Sequence, residues 1–339
     1  MRAKDIDYRY ANPGGVGKVE LEARTLRAAV VQMESKNGQI EPNLDHALRF
    51  VDDAAQKGAQ VILLPEFLAT GYIFSRAIWD AGEPEDGPTV KWLRENSKRL
   101  GVWLGASFLE ADGEDFYNTF VLANPDGKED GRVRKQTPAF AEAYFTKGYP
   151  GPHVIKTELG KVGVGICYEN QLAYTPQLMY AQSVDMMLMP HSAPSPMPGP
   201  LFPQKAVDMY NEGLKGLAGY YARLLGIPVI MANKCGRWQS PVPFLPFVAQ
   251  DSSFPGLSTI VDSDGTLKSQ LGDEEGVIVG EVTLDPARKT NARPVCYGRW
   301  SMKEPLAINL FRLVEATGGA WYRFSRERKR RAREISCGR

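Results

Sequence analysis

The sequence predicts an α/β fold in which helices cover layered β-sheets. Apolar segments of strand length alternate with segments whose apolar residues recur at helical spacing, and this order occurs in both halves of the chain. No linker-like composition divides the chain before about residue 286. We therefore expect a polar N-terminal arm over residues 1–25, one domain over residues 26–285, and a C-terminal extension over residues 286–339 that contacts another subunit.

The first half contributes strands and helices in alternation. The predicted strands cover residues 26–33, 61–64, 102–108 and 118–123, with 132–136 as a hairpin partner, and the predicted helices cover 42–58 and 89–100. The segment 61–64 is wholly apolar, which is typical of a central strand covered on both faces.

The second half repeats this pattern and ends in a meander. Its predicted strands cover residues 162–166, 186–189, 227–232, 258–261, 266–270 and 277–282, its predicted helices cover 174–183 and 205–225, and the proline-rich residues 191–203 form a loop. Two interpretations stay open for residues 238–254: a surface loop packed on its own prolines, or a lining of the substrate pocket.

Composition and charge exclude several classes of protein. The formal net charge is only +1, so the chain has no overall electrostatic bias toward nucleic acid or membranes. It contains no run of about 18 apolar residues and no signal-peptide core, so we expect a cytoplasmic protein without a membrane partner. The cysteines are too sparse for a disulfide framework, and the histidines are too scattered for a histidine-rich metal site.

Three reactive residues directly follow predicted strands. Glu66 follows VILLP, Lys135 follows GRVR and Cys167 follows VGVGI. Ligands collect at the carboxyl ends of strands in open α/β sheets, so these residues could converge on one pocket. A free thiol is mostly protonated at neutral pH, but a neighbouring carboxylate can take its proton and a neighbouring ammonium favours the thiolate. This combination is suited to attack on an amide or a nitrile.

The segments around these residues resemble the three signature segments of the nitrilase superfamily of carbon–nitrogen hydrolases. They are LLPEF at Glu66, RKQTP at Lys135 and GVGICYEN at Cys167, in the family's chain order. The resemblance extends over roughly residues 26–285. It implies a four-layer αββα sandwich, a Glu–Lys–Cys triad, no metal or organic cofactor, and assembly as a homodimer or larger homo-oligomer.

The resemblance also implies roles for further residues. The family uses a second glutamate shortly after the lysine, and FAEAYFTKG places Glu142 there, where it would position substrate and lysine. In the implied reaction Glu66 takes the proton of Cys167, and Lys135 with the N–H of Tyr168 holds the developing negative charge. We expect substrate contacts from Tyr72, Tyr144, Tyr168, Glu169, Asn170 and His191.

The residues after the cysteine bear on the substrate. Members of the family that act on free carboxylates commonly have arginine three or four residues after the cysteine, whereas this chain has Asn170 and Gln171. We therefore expect hydrolysis of a neutral amide with a hydrophobic part to a carboxylic acid and ammonia. Nitrile hydrolysis is the alternative, because Cys-Tyr-Glu-Asn resembles the Cys-Trp-Glu-Asn of nitrilases. A non-hydrolytic scaffold or an acyltransferase is a further alternative.

The C-terminal residues form a densely basic segment. Its cations are Arg323, Arg326, Arg328, Lys329, Arg330, Arg331 and Arg333. A nucleic-acid interface would need a basic footprint on a folded surface. We favour a solvated terminal helix, or contact with an acidic patch on another subunit, and we expect no nucleic-acid partner.

Overall fold

A computed structural model of the protein describes residues 22–199, 203–243, 245–303 and 310–338. Most of the predicted N-terminal arm lies outside these residues, and residues 24 and 25 already belong to the first strand. The strands are β1 (Arg24–Gln32), β2 (Val61–Leu63), β3 (Trp103–Asp112), β4 (Asp115–Ala123), β5 (Glu129–Arg134), β6 (Val154–Thr157), β7 (Gly160–Val164), β8 (Met186–Pro190), β9 (Val229–Ala232), β10 (Cys235–Val242), β11 (Leu245–Pro255), β12 (Thr259–Val261), β13 (Leu267–Gln270) and β14 (Gly276–Leu284).

The α-helices are α1 (Ile40–Gln56), α2 (Pro88–Leu100), α3 (Tyr174–Ala181), α4 (Gln204–Leu225), α5 (Leu310–Phe324) and α6 (Arg326–Ser336). Short 3-10 helices cover Arg76–Ala81, Phe140–Tyr144, Cys167–Gln171 and Pro286–Arg288. The apolar residues of α1 and α2 recur at helical spacing, and each helix buries that face.

Two six-stranded sheets form the centre of the domain. Their strand orders are β14-β1-β2-β3-β4-β5 and β13-β12-β9-β8-β7-β6. In each sheet three central strands are parallel, β1 with β2 and β3, and β7 with β8 and β9, and the flanking strands pair antiparallel. The two halves of the chain therefore build two similar sheets.

Side chains alternate between the two faces of the first sheet. Along β1, Leu26, Ala28 and Val30 belong to the core shared with the second sheet, whereas Ala29 and Val31 pack with α1 and α2. The helices α3 and α4 cover the outer face of the second sheet. The layers are thus helix, sheet, sheet and helix.

The described part of residues 238–254 belongs to a hairpin, so the surface-loop interpretation, one of the two left open for this segment, is wrong. The strands β10 and β11 pair antiparallel, with Cys235 opposite Pro255. The prolines of this segment favour a loop in a reading of the sequence. In a hairpin of two strands, however, each strand has one unpaired edge, and a proline whose missing N–H would face that edge removes no hydrogen bond between the strands. Trp238 anchors the hairpin because its Nε1 donates to the carbonyl of Tyr72 at 2.7 Å.

The C-terminal extension packs on the domain of its own chain. In α5, a Cβ on Gly318 would lie 2.9 Å from Cδ2 of Tyr144, so glycine permits this close contact with the helix Phe140–Tyr144. The hydroxyl of Tyr322 accepts the backbone N–H of Phe116 at 2.8 Å. Contact between the extension and another subunit stays a prediction.

The basic segment finds acidic partners on the same chain. Arg328 in α6 is buried and pairs with Asp115, and Arg333 pairs with Glu114. Arg331 pairs with Asp80. The burial of Arg328 and these contacts correct the prediction of a solvated helix, whereas contact with an acidic patch on another subunit stays a prediction.

No helix among the described residues has the length and apolar composition to cross a membrane. In the same part of the chain, no three or more His, Cys, Asp or Glu side chains are grouped so that they could hold a metal ion.

Candidate active site

Three reactive side chains follow strands of both sheets. Glu66 comes after β2, Lys135 directly after β5, and Cys167 after β7. The Nζ of Lys135 lies 2.7 Å from Oε1 of Glu66, and both side chains are almost fully buried. The attraction between these charges is therefore little screened by salt or water.

Glu142 completes a buried charge cluster. Its Oε2 lies 2.7 Å from Nζ of Lys135 and accepts the N–H of Ala139 at 2.9 Å. The Nδ2 of Asn118 donates to Oε1 of Glu66 at 2.7 Å and to Oε1 of Glu142 at 3.0 Å. One ammonium and one amide thus hold two carboxylates in a single site.

Cys167 begins the helix Cys167–Gln171 in a backbone conformation that residues with a side chain rarely adopt. Its φ is 53°, in the left-handed region, which costs of the order of 1–3 kcal/mol for a residue other than glycine. The turn places the thiol on the wall of a cavity. The backbone N–H of Ser192, after β8, faces this thiol and donates to Oε2 of Glu66 at 2.7 Å.

Burial and charge set the protonation states of the cluster. Burial, and then the negative charge of Glu66, raise the pKa of the Cys167 thiol well above its usual range, although Lys135 opposes this shift. Burial acts to lower the pKa of Lys135, but Glu142 and Glu66 together raise it well above its ordinary value. The resting site therefore holds an ammonium and a protonated thiol, and the thiol needs an adjacent base before it can attack.

Glu169 holds the backbone of the site and does not line the cavity, which corrects its predicted role as a substrate contact. Its carboxylate accepts the N–H of Gln136 at 2.6 Å and the N–H of Ile166 at 3.1 Å. Gln136 follows Lys135 and Ile166 precedes Cys167, so one carboxylate fixes the backbone beside both. His153 also contacts this carboxylate, at 3.1 Å.

The thiol opens onto a cavity of about 290 Å³. Its aromatic lining comes from Tyr72, Phe74, Phe140, Tyr168, Tyr210 and Trp238, and its aliphatic lining comes from Pro194, Pro196, Met197 and Leu214. None of the described residues that line this cavity is Asp, Glu, Lys or Arg. Trp238 and Gln250 of the hairpin lie on the wall, so the pocket-lining interpretation of that segment describes the structure.

The predicted substrate-binding residues divide into two groups. Tyr72, Tyr168 and His191 line the cavity. Tyr144 and Asn170 do not line it, and for them the structure corrects the prediction. The hydroxyl of Tyr144 lies 2.7 Å from Oγ1 of Thr317 in α5, on the side of the C-terminal extension. Asn170 is fully buried, and its Nδ2 donates to the carbonyl of Gly165 at 2.8 Å.

Sequence reasoning missed three residues of the site. Asn118, at the start of a predicted strand, carries no pattern that links it to the carboxylates. Ser192 follows a predicted strand, so the strand-end argument that found Glu66 could have found it. Tyr210 lies on α4 with its ring at the cavity, but an isolated tyrosine in a helix gives no such signal.

Comparison with known proteins shows the family of this chain. The family model of the carbon-nitrogen hydrolases matches residues 27–292. The chain belongs to this family. This carbon-nitrogen hydrolase is 28% identical over 274 residues to an N-carbamoylputrescine amidase of Solanum lycopersicum, a match that covers 77% of this chain and 87% of the relative. It is 31% identical over 192 residues to a bifunctional nitrilase/nitrile hydratase of Lupinus angustifolius, covering 50% of this chain and 55% of the relative.

A solved structure shares the fold. The carbon-nitrogen hydrolase of Helicobacter pylori superposes with a TM-score of 0.67 at 18% sequence identity, over 89% of this chain and 96% of the other. The αββα sandwich expected of the nitrilase superfamily is therefore the fold of this protein. The protein is an enzyme of the carbon–nitrogen hydrolase class.

Proposed function

We propose that this enzyme hydrolyses a neutral amide with an apolar acyl group to a carboxylic acid and ammonia. The observation that carries the proposal is the cavity beside Cys167, whose described lining is largely aromatic and aliphatic and contains no Asp, Glu, Lys or Arg. Such a wall favours an apolar group. It offers no ion-pair partner to a charged substrate, and an unpaired charge is costly to bury.

The lining of the cavity does not favour N-carbamoylputrescine, the compound after which one relative is named. N-carbamoylputrescine carries a primary amine, which is cationic at neutral pH. A site for it needs a carboxylate that can pair with this amine, and none of the described residues that line the cavity is Asp or Glu. We therefore propose that this enzyme and that relative act on different substrates, although both belong to the same family.

The proposed reaction proceeds through a thioester. Glu66 accepts the proton of Cys167 while the sulfur bonds to the amide carbon, and the carbonyl oxygen becomes an oxyanion held by Lys135 and the N–H of Tyr168. Glu66 then gives its proton to the nitrogen, the carbon–nitrogen bond breaks, and ammonia leaves. A water loses a proton to Glu66 and attacks the thioester. Collapse of that intermediate releases the acid, and the proton returns to the sulfur.

Lys135 has one ammonium proton available for the oxyanion, because hydrogen bonds within the site use the other two. They point to Glu66 and Glu142, each with an N–O distance of 2.7 Å. An ammonium has three protons, so one remains for substrate. Glu142 fixes the lysine in this orientation.

A panel of amides tests the proposal. Ammonia release is measured with phenylacetamide, with succinamic acid, and with N-carbamoylputrescine, and Cys167→Ala serves as the control without a nucleophile. We expect turnover of phenylacetamide alone, abolished in the control. Faster turnover of either charged compound would contradict the proposal.

Nitrile hydrolysis is the second candidate, and the segment Cys-Tyr-Glu-Asn at Cys167 supports it. An uncharged apolar cavity fits an aromatic nitrile as well as it fits the amide. Phenylacetonitrile, added to the same panel, separates the two activities. A higher kcat/KM for the nitrile than for phenylacetamide would favour this candidate.

A further inference from the structure

His191 is a buried polar residue on the wall of the cavity. It follows β8 and is 2% exposed. The next residue, Ser192, gives its N–H to Glu66, so the histidine stands beside the reacting groups. The catalytic cycle described above gives His191 no role.

Asn170 determines which nitrogen of this imidazole carries the proton. Its Nδ2 donates to the carbonyl of Gly165 at 2.8 Å and lies 3.0 Å from Nε2 of His191. A carbonyl can only accept, so the NH₂ group of Asn170 must face both neighbours. Nε2 is therefore an acceptor, and in a neutral imidazole the other nitrogen, Nδ1, carries the proton.

The surroundings keep the imidazole neutral. Burial, and then the positive charge of Lys135, lower the pKa of His191 to about 3. The ring therefore stays in the Nδ1–H form throughout the neutral range.

The Nδ1–H group has no partner among the residues that the structure describes, and it is buried. Folded proteins rarely leave such a donor unsatisfied, because its desolvation costs about 1–3 kcal/mol. His191 is one of the residues that line the cavity, so an acceptor on a molecule bound there would satisfy this donor.

We propose that the Nδ1–H of His191 donates a hydrogen bond to an acceptor atom in the acyl group of the substrate. His191 is then a specificity-determining residue, and Asn170 is the residue that positions it. The preferred substrate is a neutral amide whose apolar group carries an oxygen or nitrogen acceptor near the reacting carbon. This inference rests on the proposed amide hydrolysis and narrows it.

Two amides of matched shape test it by kinetics. Benzyloxyacetamide differs from γ-phenylbutanamide only in an ether oxygen, which accepts but cannot donate. We expect the native enzyme to favour the ether in kcat/KM by about tenfold or more, which is the effect of one satisfied donor. His191→Phe keeps an aromatic ring without the donor and should reduce the preference to less than about threefold. The control His46→Phe changes a partly exposed histidine on α1 and should keep the full preference.

Nuclear magnetic resonance gives a second readout that needs neither turnover nor a change at His191. The chain has three histidines, so ¹⁵N-histidine spectra are easily assigned. We expect His191 to be protonated at Nδ1 from pH 5 to 8, and benzyloxyacetamide bound to Cys167→Ala to shift this N–H resonance. Asn170→Leu should weaken the preference for Nδ1 protonation.

The two readouts separate this inference from the proposed function. Equal rates for the two amides in the native enzyme, or a preference that survives His191→Phe, would overturn the inference and leave amide hydrolysis intact. Failure to hydrolyse any amide would instead remove the proposed function. In that case an unshifted Nδ1–H resonance with saturating benzyloxyacetamide overturns the inference as well, and a shifted one supports the contact.

Discussion

The Nζ of Lys135 lies 2.7 Å from Oε2 of Glu142, and both side chains are shielded from solvent. This contact fixes the ammonium that we assign to the oxyanion. Because its carboxylate is hydrogen bonded to Lys135, to Asn118 and to the N–H of Ala139, we expect Glu142 to act on the reaction through the lysine.

Glu142→Leu should lower kcat more than it raises KM. The lysine loses one of its two anchors, and a displacement of about 1 Å can cost roughly 100-fold in rate. The free energy of unfolding should fall by about 1–3 kcal/mol, because the N–H of Ala139 loses its acceptor. Steady-state kinetics and urea denaturation measure the two effects. Glu142→Gln, which keeps an acceptor, is the milder control, and full activity in the leucine variant would refute the role.

Cys167→Ala should be folded and inactive. Alanine carries a Cβ like cysteine, so the left-handed turn at this position gains no new clash, while the nucleophile is lost. Mass spectrometry of the native enzyme with a slowly hydrolysed amide should show an acyl adduct that the variant lacks. Cys235→Ala is the matched control, since Cys235 is buried but lies off the cavity wall, and it should retain turnover. Adduct formation in the alanine variant would exclude Cys167 as the nucleophile.

Glu66→Gln should separate thiolate formation from catalysis. The charge of Glu66 is one cause of the raised pKa of Cys167, so its removal should lower that pKa and increase the thiolate population at a given pH. Turnover should nevertheless fall by about 10²–10⁴-fold, because no base remains to move the proton to the leaving nitrogen. Thiolate absorbance against pH, corrected with Cys167→Ala in the same background, measures the first effect. An unchanged thiol pKa would show that Glu66 does not act on the sulfur.

Sequence alone predicted the strand ends that carry Glu66, Lys135 and Cys167, because apolar strands followed by a polar residue are visible in a single chain. It failed where a residue's role depends on a distant partner. Glu169 lies two residues from the nucleophile, yet its carboxylate accepts a hydrogen bond from the backbone N–H of Gln136, which is distant in sequence. The hairpin of β10 and β11 was missed because its prolines indicate a loop. Proline is compatible with these strands only because each strand has an unpaired edge.

Arg328→Met should loosen the C-terminal extension. The buried guanidinium pairs with Asp115, whose side chain is partly exposed, and removal of one partner from a fully buried pair costs about 3–5 kcal/mol. Lys147 also contacts Asp115, at 2.7 Å, so we expect the lower end of this range. Arg330→Met is the control, since Arg330 is exposed and pairs only with Glu334 within α6 among the described contacts; it should cost less than about 0.5 kcal/mol. Thermal unfolding and the rate of tryptic release of α6 measure the difference, and equal behaviour of the two variants would contradict the buried pair.

The titration of Lys234 should make the free energy of unfolding depend on pH between about pH 7 and pH 10. Its Nζ donates to the carbonyl of Phe67 at 2.9 Å, and burial lowers its pKa to about 7 even though Glu66 acts in the opposite direction. The unfolded chain binds this proton up to about pH 10.4, so between these values the unfolded state holds more protons than the folded state. Stability contributed by this group should therefore rise with pH, by up to about 1.4 kcal/mol per pH unit from near pH 7 to near pH 10.

Lys234→Met should remove this slope, because methionine fills similar space without a titrating group. Urea denaturation at several pH values measures it as the difference between native enzyme and variant, which should change steadily across this range and level off below about pH 7. Lys57→Met, at an exposed position directly after α1, should follow the native enzyme. A constant difference between native enzyme and Lys234→Met would mean that the lysine keeps its proton in the folded protein, with the Glu66 charge outweighing burial.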